Sequence, residues 1–191
     1  MSLQSELALP AARVCPWWLI HAFDNPIRRL FQNPEKILEK LVRPGDNCLD
    51  VGCGYGYFTI PMARIVGPAG AVTAAEVQTE MLNGVRRRAR TKGVLDQIRF
   101  LQVGTSGLHS DGVFDFALAF WMVHEVPDQE AMLIQIHASL RPGGRFLLVE
   151  PKGHVSSAAF VRTVAIAEKI GFTKPTERRI AFSRGMLLDR R

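Results

Sequence analysis

The run Asn47-Cys48-Leu49-Asp50-Val51 is short and apolar, stops on Gly52-Cys53-Gly54-Tyr55-Gly56, and is followed from Tyr57 to Ile65 by apolar residues at helical spacing. A strand that ends on alternate glycines and turns at once into a helix leaves a chain few ways to fold. Glycine admits backbone conformations, and a closeness of approach, that a Cβ forbids. The helix that follows presents N–H groups without intrahelical partners. The segment is therefore predicted to be a buried strand of a parallel sheet feeding a crossover helix. Its loop should lie beyond the carboxyl end of the strand, where open α/β sheets bind ligands. A carboxylate or phosphate can dock on such a loop, although glycine-rich turns also serve nucleotides, flavins and plain structural bends.

The rest of the chain repeats the alternation. Pro34 to Leu41 reads as a helix, with Arg43-Pro44-Gly45-Asp46 as stop and turn. Ala71 to Glu76, Ile98 to Val103, Phe114 to Phe120 and Arg145 to Glu150 read as strands, and Thr79 to Lys92 and Asp128 to Leu140 as helices. After Val155 a helix runs to Ile170, and the tail offers strands at Glu177 to Phe182 and Gly185 to Asp189, with a tight turn at Ser183-Arg184. Strands alternating with helices predict an α/β fold, a mainly parallel sheet covered on both faces and closed by an antiparallel pair. A chain of 191 residues accommodates one such domain. Residues 1–34, rich in aromatics and broken by Pro16, Pro26 and Pro34, are expected to form a helical cap on a domain spanning 35–191.

Composition removes several classes. With 47% hydrophobic and 22% charged residues the chain is globular. It lacks the run of roughly twenty apolar residues that a membrane helix needs and the pattern of a signal peptide. The expected location is the cytoplasm, as a monomer or homodimer. Cys15, Cys48 and Cys53 form neither a disulfide framework nor a metal-ligand spacing, and no metal is expected. The net charge of +6 favours anionic partners. Its densest run, Arg86 to Lys92, winds around a predicted helix as a collar and has no interleaved aromatics on which bases could stack. Nucleic acid is thus unsupported as a partner.

Two further signals bear on the glycine loop. Glu76 ends the second strand about twenty residues after Gly56, where an acidic side chain can accept both hydroxyls of a ribose. Tyr57 stands where a dinucleotide fingerprint wants its third glycine, so the spacing is G-x-G-x-G. The stretch Leu49 to Thr59, together with Leu140-Arg141-Pro142-Gly143-Gly144-Arg145, resembles the class I S-adenosylmethionine-dependent methyltransferases over about residues 35 to 190. The resemblance implies a doubly wound, Rossmann-like sheet of seven strands in the order 3-2-1-4-5-7-6, with strand seven antiparallel. It also implies S-adenosylmethionine as cofactor. Asp50, Gly52, Cys53 and Gly54 would face its methionine part, with Asp50 near the ammonium. Glu76 would take the ribose, and Val77 and Met81 would flank the adenine. Gly104 or Thr105 would stand near the adenine amino group, where relatives often carry aspartate. Backbone groups of Ala119 and Phe120 would complete the site.

Methyl transfer from a sulfonium is an in-line displacement, so holding the reactants about 3 Å apart and aligned supplies most of the catalysis. A base is needed only where the acceptor loses a proton. His124, after the fourth strand, and His154, after the fifth, are the candidate bases. The bland alternatives are that His124 merely starts the next helix and that His154 is an exposed loop residue. Glu150 can serve substrate or backbone, and Trp17, Trp18, Phe23 and Tyr57 either roof the pocket or pin the N-terminal segment to the sheet. A small molecule is the expected acceptor. The rival functions are a cofactor-binding module without turnover, and a nicotinamide-dependent oxidoreductase, against which Tyr57 argues.

Overall fold

The computed structural model describes residues 26–104, 108 and 113–191. Five strands, β1 (Asn47–Val51), β2 (Ala71–Glu76), β3 (Ile98–Gln102), β4 (Phe114–Phe120) and β5 (Leu140–Pro151), are followed by β6 (Phe172–Arg178) and β7 (Ser183–Arg190). They form one sheet in the order β3-β2-β1-β4-β5-β7-β6. β1 to β5 pair in parallel and β7 is antiparallel to both β5 and β6. The sheet is the one the resemblance implies. Order reverses between β1 and β4, so the loop after β1 opens on the crevice where such sheets bind ligands.

Strand alternation builds two cores. Phe116, Leu118 and Phe120 of β4 and Leu147 and Val149 of β5 face one side, against Leu38, Phe58, Met62 and Val85. Ala117, Ala119, Phe146 and Leu148 face the other, against Leu133, Ile136, Phe160 and Val164. Successive side chains of a strand point to opposite faces, which is why one apolar run feeds both layers. The first face is covered by α2 (Pro34–Leu38), α3 (Thr59–Val66) and α4 (Thr79–Lys92), the second by α5 (Gln129–Ser139) and α6 (Ser157–Ile170). Their ends are set locally. Asp128 and Ser156 cap α5 and α6 by accepting from the N–H groups of Ala131 and Ala159, and Gly93, left-handed at φ 68°, ends α4. A short helix α1 (Pro26–Phe31) precedes α2.

The tail departs from the sequence expectation. β6 begins at Phe172, right after Gly171, and the connection to β7 is residues 179–182 instead of Ser183-Arg184. Pro175 would be unfavourable in a central strand. β6, however, is the edge strand, where a missing N–H costs no ladder bond, and the register slips between Thr173 and Thr176 around a left-handed Lys174. Likewise β5 starts at Leu140 and includes Arg141-Pro142-Gly143-Gly144, with Gly143 at φ 78° in an irregularity against β4. The helix expected over Pro34 to Leu41 stops at Leu38.

Candidate active site

The glycine loop is shaped by its own backbone. Gly52 and Cys53 both donate to the carbonyl of Ala75 on β2, at 2.8 and 3.2 Å, and Gly56 N–H turns back to the carbonyl of Cys53 at 2.9 Å. Gly52, Gly54 and Gly56 have φ of 66°, 53° and 82°, a region L side chains rarely enter. At Gly52 space is also short, because a Cβ would lie 2.8 Å from Met122 Cγ. The turn after β4 is thus packed directly on the loop after β1.

Two carboxylates bracket the loop, and both are buried. Asp50, 2% exposed, points to the α3 side of β1 and accepts from Thr59 Oγ1 at 2.6 Å. Burial pushes its carboxyl up to about 7, the Thr59 bond opposes this, and the charge of Glu76 adds to it. Glu76, 6% exposed at the end of β2, accepts from Gly54 N–H at 3.0 Å through Oε2 and from Val77 and Gln78 N–H at 2.8 and 3.2 Å through Oε1. Burial raises its carboxyl too, against those three bonds. No ion pair among the described residues joins a cation to either. Two desolvated carboxylates without a positive partner are costly, and a ligand bringing an ammonium and hydroxyl donors would relieve both. The donor set fits such a group.

The other anticipated contacts scatter. Cys53 is buried with its thiol pushed well up by burial, so it contributes backbone and bulk and no nucleophile. Val77 is 45% exposed beside Glu76, whereas Met81, 1% exposed, is core. Gly104 is exposed after β3, and Thr105 lies outside the described residues, as do Trp17, Trp18, Phe23 and Cys15. Ala119 is buried in register with Val51. Phe120 stacks at 4.4 Å on Phe58 and 5.4 Å from Trp121.

Trp121 and Tyr57, with Arg28, Gln32 and Ser183, which the sequence did not single out, gather around the end of β4. Trp121 adopts φ 61°, donates its backbone N–H to Val149 at 2.8 Å and its indole N–H to Ser183 Oγ at 2.9 Å. The Arg28 guanidinium lies 4.2 Å from the Tyr57 ring centre, 4.7 Å from Trp121 and 5.3 Å from Phe120. Tyr57 Oη donates to the Gln32 carbonyl at 2.8 Å, and Gln32 Nε2 donates to the Ala181 carbonyl at 2.7 Å. α1 is thereby fastened across the ends of β4 and β7, and Tyr57 takes the pinning role. Thr59, beside the loop, also carried a local signal, as the hydroxyl opening an apolar helix. The rest meet through long-range contacts.

His124 and His154 come together. His124 lies in a short 3₁₀ turn (Val123–Glu125) after β4, so it begins no α-helix. Its N–H donates to Glu150 Oε1 at 3.1 Å and its Nδ1 is 2.6 Å from Glu150 Oε2. The hydrogen bond to Glu150 raises the proton affinity of His124, against a smaller lowering by burial. The exposed His154 ring stands edge-on to it at 5.8 Å. An open groove of about 500 Å³, lined by Phe31, Lys36, Arg178 and Ile180 among others, shares no residue with the glycine loop.

Comparison with known proteins agrees with this geometry. A ubiquinone/menaquinone biosynthesis C-methyltransferase of Pasteurella multocida is 34% identical over 110 residues, 57% of this chain and 41% of that protein. The chain therefore spans about two fifths of the length of such curated relatives. Among solved structures, an S-adenosylmethionine-dependent methyltransferase from Aquifex aeolicus superposes with a TM-score of 0.82 at 21% identity, covering 92% of this chain and 98% of that one. The [4+2]-cyclase SpnF superposes at 0.63 with 21% identity, covering 76% and 60%, which shows the fold alone does not dictate the reaction. Residues 48–144, a little over half of the chain and the part that holds Asp50, Glu76 and His124, match the family described as Methyltransferase domain. With that match, the glycine loop and the seven-strand order, the chain belongs to the methyltransferase-domain family, of the class I S-adenosylmethionine-dependent type.

Proposed function

We propose that the protein transfers a methyl group from S-adenosylmethionine to a small-molecule acceptor. The observation that carries this is the pair of buried carboxylates, Asp50 and Glu76, at the glycine loop, neither of them ion-paired to a cation among the described residues. Asp50 would accept from the cofactor's ammonium and Glu76 from its ribose hydroxyls. The backbone at Gly52, Cys53 and Gly54 would hold the methionine part, with Ala119 and Phe120 offering backbone groups across from it. Val77 would lie along the adenine and Gly104 near its amino edge. The bound cofactor supplies an electrophilic methyl on a sulfonium; the chain's part is to hold donor and acceptor in line and keep water out. A small-molecule acceptor is supported by the names of the curated relatives, which are C-methyltransferases of quinone biosynthesis. Calorimetric titration with S-adenosylmethionine and with its demethylated product tests the reading. Micromolar binding of both is expected, and failure of both to bind would refute it.

A further inference from the structure

We propose that His124, oriented by Glu150, takes a proton from the methyl acceptor, so that the acceptor class is one that loses a proton on methylation: a phenol, a hydroquinone or an activated C–H. This rests on the methyl-transfer reading above. The turn carrying His124 is placed by contacts on three sides. Met122 fills the space over Gly52, Trp121 N–H is tied to β5 at Val149, and Glu150 holds both the backbone and the ring of His124. The turn that carries the imidazole is therefore packed on the glycine loop at the carboxyl end of the sheet, the end at which the proposed cofactor would sit.

The pairing sets the chemistry of the ring. Glu150 is 2% exposed, and its Oε1 is already used by the His124 N–H. In this assignment Nδ1 carries the ring proton and donates to the Glu150 carboxylate 2.6 Å away. The neutral imidazole then carries its lone pair on Nε2, away from Glu150, on a side chain that is 23% exposed. Capping the turn needs only Oε1. The second oxygen on the ring fixes a tautomer and stabilises the imidazolium once a proton arrives, the logic of a base held by an acid. Around the ring, Glu150 from β5 and Glu125 from its own turn favour the protonated form, and His154 from the loop after β5 opposes it when charged. The other ionisable groups at the loop do not compete. Asp50 and Glu76 face the cofactor side, and burial keeps the Cys53 thiol protonated.

The step balances without a further reactant. The acceptor's electrons make the new bond to the methyl carbon, the carbon–sulfur bond breaks with its pair remaining on sulfur, and the acceptor's proton passes to His124 Nε2 and then to solvent. His124 is the catalytic residue; Glu150 is a positioning residue.

Two measurements on the full chain test this. Nuclear magnetic resonance of ¹⁵N-histidine-labelled protein should show His124 as the Nδ1–H tautomer, titrating above the ordinary value near 6.5, and Glu150→Gln should bring that titration down. Labelled methyl transfer from S-adenosylmethionine should then be followed with two probes. One is 1,4-naphthohydroquinone, chosen because the curated relatives are named for quinone biosynthesis; the other is N,N-dimethylbenzylamine, a tertiary amine with no proton to lose. The hydroquinone should be methylated, with a rate that falls as pH drops through the His124 titration. His124→Gln and Glu150→Gln should each cut kcat by about 100-fold or more with the cofactor Kd unchanged, and Glu150→Asp should recover part. Transfer confined to the amine, full activity in His124→Gln, an Nε2–H tautomer, or a wild type that binds the cofactor and methylates neither probe would overturn the assignment. A wild type that fails to bind S-adenosylmethionine would instead refute the parent reading, and the assignment with it.

Discussion

Replacing Asp50 by Asn should stabilise the cofactor-free protein at neutral pH while weakening its grip on S-adenosylmethionine. Asp50 is 2% exposed and accepts from Thr59 Oγ1 at 2.6 Å, and burial lifts its carboxyl from 3.8 to about 7. Because the folded value lies above the unfolded one, the native state holds the proton more tightly. The carboxyl's contribution is full below about pH 3.8 and is lost as pH rises through about 7. At about 1.4 kcal/mol for each pH unit between the two values, the loss approaches a ceiling on the order of 4 kcal/mol. Asparagine keeps an oxygen for Thr59 but brings an amide N–H₂ that needs a partner, which costs about 1–2 kcal/mol. The expected net gain above pH 7 is about 2 kcal/mol, or roughly 4–8 °C in Tm for a chain of this size. Urea unfolding of both proteins from pH 4 to 8.5 measures it. The stability difference should climb in favour of the variant from pH 4 to 7 and then level off, while added cofactor should stabilise the wild type more than Asp50→Asn. A difference that does not change with pH, or a variant less stable than wild type at pH 8, would show that Asp50 is not held in a dry, uncompensated site.

Other perturbations have expected outcomes of their own. In Gly84→Ala, on α4, the new Cβ would lie 2.1 and 2.3 Å from ring atoms of Tyr55. The helix-propensity gain of about 1 kcal/mol should lose to about 1–3 kcal/mol of overpacking, lowering the urea midpoint and, because Tyr55 belongs to the glycine loop, cofactor affinity as well. Glu76→Gln replaces a carboxylate that accepts from Gly54, Val77 and Gln78 N–H. If Glu76 holds the ribose as proposed, losing its charge-assisted acceptance of two hydroxyls should raise the calorimetric Kd by about 100-fold, near 3 kcal/mol. His137 is held below its ordinary value by burial and then by the charge of Arg190. Its stabilising contribution is present above the unfolded value near 6.5 and is lost as pH falls through the folded one, so His137→Gln should flatten the fall in urea midpoint between pH 7.5 and 5.

Most of the sheet was legible because strands buried on both faces leave a strong signal. β4 coincides with its expected span, Phe114 to Phe120, since six apolar or aromatic residues broken only by Asp115 have no surface position to occupy. The tail was misread where an edge strand tolerated Pro175 and a left-handed Lys174, features that inside a sheet would have ended the strand. The residues proposed for the methyl donor stand out in the sequence for a related reason. Asp50, the glycines and Glu76 sit at strand ends, positions that hydrophobic runs mark by stopping.

Local periodicity and glycine's conformational freedom are enough to set the parallel α/β architecture and the loop on which the cofactor would rest. Tertiary structure alone decided which groups surround that loop. Glu150 and His124 are 26 residues apart and meet because β4 and β5 run side by side, and Ser183 reaches Trp121 because β7 folds back antiparallel beside β5. Nor does any local pattern tell a buried carboxylate from an exposed one. The raised proton affinities of Asp50 and Glu76 come from desolvation by the assembled fold, a property of packing that exists only once the chain has closed around them.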